Sequence, residues 1–184
     1  MADEAGLATE VDRLLRFGLA DKLDRELVNG DGSAFNLSGL LTEATTHTPA
    51  SGATAADIIG AAASDLAADG YAPGVVFLNP SDWFTIQSER VSGTDEYVAG
   101  GWRNVAPPSI YGLRVVQTSS IAAGTALVID PGVVELCVRQ QPTVEMSREH
   151  NQNLTKNLVT ILAELRVGLL VKDGSGMLKM NIAG

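Results

Sequence analysis

Cysteine, histidine and aromatic residues are scarce in this chain, and each scarcity removes a class of function. The single Cys137 excludes an intramolecular disulfide framework. Set between Leu136 and Val138, it reads as a small buried residue, and one lone thiol fits synthesis in a reducing, intracellular compartment. Only His47 and His150 are present, which leaves little material for a nucleophile and its base, and neither stands in a recognisable signature. His47 has no second ligand-type residue at metal spacing and reads as a solvated loop residue. Glycine clusters carry neither a dinucleotide fingerprint nor a phosphate-loop lysine, and no carboxylate pair falls in a cleft-forming motif. The sequence therefore predicts no enzyme, no cofactor and no metal. Two Trp, three Tyr and four Phe are too few for base-stacking platforms. Lys and Arg number 13 against 22 Asp and Glu, for a net charge of −9, and the cations are scattered. Phosphate neutralisation, and with it sequence-specific nucleic-acid binding, is not expected. No apolar run of about 18 residues occurs and no basic, then apolar, leader opens the chain, so no membrane partner is expected and the protein is read as soluble.

What is present is a periodic pattern. Val159, Ile161, Ala163, Leu165, Val167, Leu169 and Val171 recur at a spacing of two, with Thr160, Glu164 and Arg166 between them, which predicts a strand. Just upstream, Val144 to Glu149 alternates as well and leads into the polar run His150-Asn151-Gln152-Asn153. Two long antiparallel strands joined by a polar connection follow from this, a ribbon too long for a small core to bury.

The other elements fall around it. Leu7, Val11, Leu14, Leu15, Leu19, Leu23 and Leu27 give a long amphipathic helix that stops at Asn29-Gly30-Asp31-Gly32. Residues 45–52 read as a connection. A thin, Ala-rich helix begins after the cap Thr54 and ends at Asp69-Gly70, followed by a buried strand at 74–78 and a third helix from Pro80 or Ser81. Residues 91–110, with Gly100-Gly101, Trp102, Asn104 and Pro107-Pro108, read as an extended loop and a candidate interaction surface. Strands are predicted at 113–117, 126–130 and 133–138, and a last one at 177–182.

In this order the segments are similar to those of the major capsid proteins of tailed phages, the HK-ninety-seven-like family. The resemblance is carried by Leu27 to Gly32, Ala56-Asp57-Ile58-Ile59, Val76 to Trp83, Tyr111 to Val116, Val144 to Glu149 and Lys156 to Arg166. It implies an α+β fold with a spine helix and long β-ribbon as a peripheral domain (1–48 and 143–172) and a mixed α/β axial domain (49–142 and 173–184). It also implies a shell subunit of a phage or prophage virion, made in the bacterial cytoplasm, whose partners are copies of itself in capsomer rings. The alternatives are an encapsulin-like nanocompartment shell protein and a small enzyme or binding protein. Family members carry an arm and an extended loop before the spine helix. This chain is read as lacking both, so a monomer or small ring is expected. Some members cross-link through an isopeptide bond between a lysine of that loop and an asparagine of the ribbon, assisted by a glutamate. By motif those positions are Asn157 and Glu164, and with the lysine's loop missing no self-cross-linking is expected.

Overall fold

The computed structural model describes residues 2–34, 36–91, 96–98, 108–149 and 152–183. Trp102, Gly100-Gly101, Asn104, Pro107 and His150 therefore lie outside the described residues, and so does most of the predicted loop. The chain order is α1 (Ala2–Asn29), α2 (Leu40–Glu43), β1 (Thr45–Thr46), α3 (Ala55–Ala68), β2 (Val75–Leu78), α4 (Pro80–Gln87), β3 (Ser109–Ile110), β4 (Leu113–Gln117), β5 (Thr125–Ile129), β6 (Val134–Ser147), α5 (Asn153–Lys156), β7 (Thr160–Val171) and β8 (Met177–Asn181).

Six short strands form one sheet in the order β1-β8-β5-β2-β4-β3. The central β5 is buried from Ala126 to Ile129, because helices cover both faces of the sheet and alternation gives way to a continuous apolar run. On one side Ile58, Ile59, Ala62 and Leu66 of α3, with Trp83 and Ile86 of α4, pack against Val76, Leu78, Val128 and Met180. On the other, Val28 at the end of α1, Leu40, Ala44 and Ile121 meet Leu127, Ile129 and Met177. The helix starts are set locally. Thr54 accepts a hydrogen bond from the Asp57 N–H and returns its hydroxyl to the Asp57 carboxylate, and Asn79 caps α4 ahead of Pro80. Tyr111 and Gly112, with φ of 48° and 81°, make the two-residue turn between β3 and β4.

Among the described residues the second sheet is the two-stranded ribbon of β6 and β7. The predicted strands at 133–138 and 144–149 are one strand, β6, so the division drawn between 142 and 143 falls inside it. Register shifts between Val138 and Gln140 and between Gln140 and Thr143 absorb the extra residues, and Pro142 is tolerated there because a bulge leaves ladder positions unpaired. Residues 45–52 are not all connection either. Thr45 and Thr46 pair in parallel with Leu178 and Lys179 at the sheet edge.

Candidate self-association surface

The surface that stands out is the one made by α1 and the ribbon. At about 1.5 Å per helical residue and 3.3 Å per strand residue, a 28-residue helix and a 14-residue strand both run for just over 40 Å, so α1 matches the ribbon's length. The register puts Val134, Leu136, Val138, Val144 and Met146 of β6 opposite Val171, Leu169, Val167, Ala163 and Ile161 of β7, giving one nearly unbroken apolar face. Helix α1 lies on that face. Its first turns meet Met146, Val159 and Ile161, Arg16 donates to the Pro142 carbonyl at 2.9 Å, and Leu19 and Leu23 reach the 163–167 stretch.

One helix covers this face only in part. Ala163, Leu165 and Val167 are half-buried, whereas Val159 and Ile161 near the ribbon's tip, and Leu136 and Val138 on β6, stay exposed. The helix is also not simply amphipathic. Leu7, 65 % exposed, stands on the ribbon side beside Met146, Val159 and Ile161, while Leu14 and Phe17, three residues apart and 52 % and 69 % exposed, add a second apolar patch. An apolar stripe on each side of a helix is the pattern of an element meant for cover on both. Exposed apolar patches of this kind on a protein with a complete core mark contact surfaces.

Asn157 and Glu164 both sit on this surface, but the structure does not bring them together. Asn157 ends α5 in the left-handed conformation, φ 53° and ψ 43°, and is exposed. Glu164 accepts a hydrogen bond from Gln140 Nε2 at 2.8 Å, and Arg166 lies at 3.8 Å. Glu164 lies four strand steps, about 13 Å, into β7 from Thr160, while Asn157 precedes the strand. Among the described residues neither is paired with a lysine.

Two readings of single residues are corrected. Cys137 is exposed, not buried, because it stands on the ribbon face that no helix covers, opposite Gly168. His47 is not a solvated loop residue: its side chain is 13 % exposed and its Nδ1 lies 3.2 Å from Asp65 Oδ2. Sequence spacing hid this pair because β1 brings His47 beside a helix that begins only at Ala55. Pairing across β8 also places Tyr71, whose hydroxyl donates to Asp173 at 2.6 Å and so holds that carboxyl below its ordinary range, with the Ser175 N–H assisting. The bond ties the turn after α3 to the turn after the ribbon.

Among the described residues no group of three or more His, Cys, Asp or Glu side chains is arranged to hold a metal ion, and no helix is long and apolar enough to cross a membrane. The chain matches the model of the phage capsid family over residues 1–182. The chain belongs to the phage capsid family. It is 36 % identical over 173 residues to the major capsid protein of Enterobacteria phage HK97, an alignment covering 92 % of this chain and 45 % of that protein. The capsid chain thus spans under half the length of this curated relative. Its fold is that of solved structures from Microbacterium phage Oxtober96 (TM-score 0.77, 18 % identity, 94 % of this chain and 64 % of that one) and Mycobacterium phage Bobi (TM-score 0.73, 18 % identity, 97 % and 65 %). It is also that of the capsid of a native GTA particle computed with C5 symmetry (TM-score 0.69, 19 % identity, 98 % and 66 %). The predicted α+β capsid fold is therefore what the structure has.

Proposed function

We propose that this chain is a structural subunit of an icosahedral phage or prophage capsid shell, and that it acts by associating with copies of itself into capsomers of the virion. The observation that carries this is the apolar surface of α1 and the ribbon, left exposed by a chain of the phage capsid family whose core is otherwise complete. In this reading residues 1–48 and 143–172 form the peripheral part and 49–142 with 173–184 the axial part that faces the capsomer centre, with β6 running continuously between them. The 36 % identical relative is a major capsid protein, which supports contacts between copies. A ring needs one heterologous contact repeated by rotation, and the two dissimilar apolar sides of the peripheral part suit that. Sedimentation velocity over a range of concentrations is expected to resolve a closed multi-copy species. A single 19.2 kDa species at every concentration would count against the proposal.

Covalent joining is a separate question of chemistry. An isopeptide bond would form when a lysine amine attacks the Asn157 side-chain amide and ammonia leaves, with a carboxylate such as Glu164 taking the lysine's proton. Since no lysine is paired with either residue among the described residues, we expect the associated protein to run as a single band of one chain's mass on a denaturing gel. A ladder that survives boiling and reduction would show otherwise.

A further inference from the structure

The ribbon joins the sheet through two turns, and both reach for the same two residues. Helix α3 closes at Gly70, φ 92°, where the Gly70 N–H donates to Ala67 O and the Tyr71 N–H to Leu66 O, and this sets Tyr71 just beyond the helix end. Asp130 stands before the short turn 131–133 that opens into β6, and Asp173 before the turn 174–176 that follows β7. The two carboxylates divide their oxygens alike. Oδ1 accepts the N–H two residues on, from Gly132 at 2.8 Å for Asp130 and from Ser175 at 2.9 Å for Asp173. Oδ2 reaches across to α3's end: Asp130 accepts the Ala72 N–H at 3.0 Å, and Asp173 the Tyr71 hydroxyl at 2.6 Å. The Ala72 N–H, ahead of that of Gly132, holds the Asp130 carboxyl below its ordinary range, as the Tyr71 hydroxyl, ahead of Ser175, does for Asp173. The roots of the ribbon are also tied to each other, since the Lys172 N–H donates to Val133 O at 2.8 Å and the Asp130 N–H to Gly176 O at 3.0 Å. A Cβ on Gly176 would lie 2.8 Å from Val133 Cγ1 and 3.1 Å from Tyr71 Cδ1, so the three segments meet without slack.

We propose that Tyr71 and Ala72 are a two-point clamp on the roots of the ribbon, that the clamp fixes the direction in which the ribbon leaves the sheet, and that opening its Tyr71–Asp173 point lets α1 and the ribbon swing together while the sheet stays folded. Hydrogen bonds to an ionised carboxylate are about twice as strong as neutral ones, and two such points fix a direction that one leaves free to turn. Helix α1 follows the ribbon because Arg16 holds the Pro142 carbonyl, and its end enters the same apolar layer as the ribbon's root, Val28 with Val133, which makes that layer the pivot. The Tyr71 ring packs against the apolar layers on both sides of the sheet, whereas its hydroxyl serves the clamp, so one oxygen separates the two roles. The clamp itself does not depend on the shell reading. Within that reading it sets the angle at which the association surface is presented.

The distance between two spin labels, read by pulsed electron paramagnetic resonance, tests this. One label goes on Cys137, the single cysteine, exposed on the ribbon, and the other on Phe84→Cys, a position of α4 that is 69 % exposed. Labelled chain diluted into unlabelled chain gives the distance within one copy, whether the protein is dispersed or associated. One narrow distance is expected in the parent, and a distribution at least twice as wide in Tyr71→Phe and in Asp173→Asn, with the amides of Leu127 and Val128 in β5 as protected from exchange as before. Lys172→Gln, which removes only the neighbouring exposed pair with Glu135 at 3.5 Å, is expected to leave the width unchanged. Unchanged widths in both Tyr71→Phe and Asp173→Asn overturn the clamp. Loss of β5 protection in both overturns it as well, since the bond would then belong to the core of the sheet. Equal widening by Lys172→Gln overturns the role given to Tyr71. None of these outcomes touches the shell reading, which the particle mass tests by itself.

Discussion

At the scale of single residues, three glycines of the first forty residues behave in opposite ways. Gly30 closes α1 at a point where a Cβ would lie 2.1 Å from the Leu37 carbonyl oxygen and 2.6 Å from that of Glu26, and at Gly39 it would lie 2.4 Å from the Gly30 nitrogen. The backbone of the loop after α1 is folded against itself there, with Gly39 N–H donating to Gly30 O at 2.8 Å. Gly18, in the middle of α1, has nothing within 4 Å of a Cβ. Gly30→Ala should therefore destabilise the chain by about 2 kcal/mol or more, since backbone cannot yield as a flexible side chain does. Gly18→Ala should stabilise it by up to about 1 kcal/mol by removing the entropy glycine loses in a helix. Urea unfolding of the two variants checks both signs, and a neutral Gly30→Ala would show that the close approach is not part of the folded state. Asp31 in the same loop is held down to about 2 by the Ser33 N–H, then by the Asn36 amide and the Ser33 hydroxyl, which fixes the turn that follows the helix.

At the scale of elements, burial separates strands that look alike in sequence. Leu127 in β5 is fully buried between the two helical layers, whereas Leu162 in β7 is half exposed on the ribbon face that carries no helix. Leu127→Ala should cost about 2–5 kcal/mol and Leu162→Ala under about 0.5 kcal/mol, measured by thermal or denaturant unfolding. Similar costs at the two positions would mean that the ribbon is covered within one chain. Alternation alone located β7, because its period of two is strict over seven positions. The starts of α3 and α4 were legible in the Thr54 cap and in Pro80, while the Asn79 cap is seen only in the structure. The alternation did not show how little of the ribbon would be covered, since an exposed and a buried apolar face have the same period. Sequence placed two strands where β6 is one, because residues 139–143 fall outside both alternating runs, and only the pairing with β7 shows the register shifts that carry β6 through them. Cys137 was misplaced for the same reason as Leu162: apolar neighbours along a strand say nothing about the layer above. His47 and Asp65 meet through the β1 and β8 pairing, a contact that no local spacing encodes. Asn157 and Glu164 were singled out by motif alone, and the motif did not show that Asn157 caps α5 while Glu164 lies within β7.

At the scale of the whole molecule, a small, well-packed sheet with short edge strands is joined to a helix and ribbon that expose apolar residues. In the proposed shell reading, the first part holds the fold and the second makes the contacts between copies. So acidic a chain, at −9, is compatible with self-association because the exposed apolar residues contribute contacts that do not depend on opposite charge. The measurement that bears most directly on this account is electron cryomicroscopy of the associated protein. Copies are expected around a single rotation axis, with residues 49–142 near that axis and the α1 and ribbon surface of each copy in contact with its neighbour. Copies that meet only through the six-stranded sheet, with Leu7, Leu14 and Phe17 all facing solvent, would contradict it.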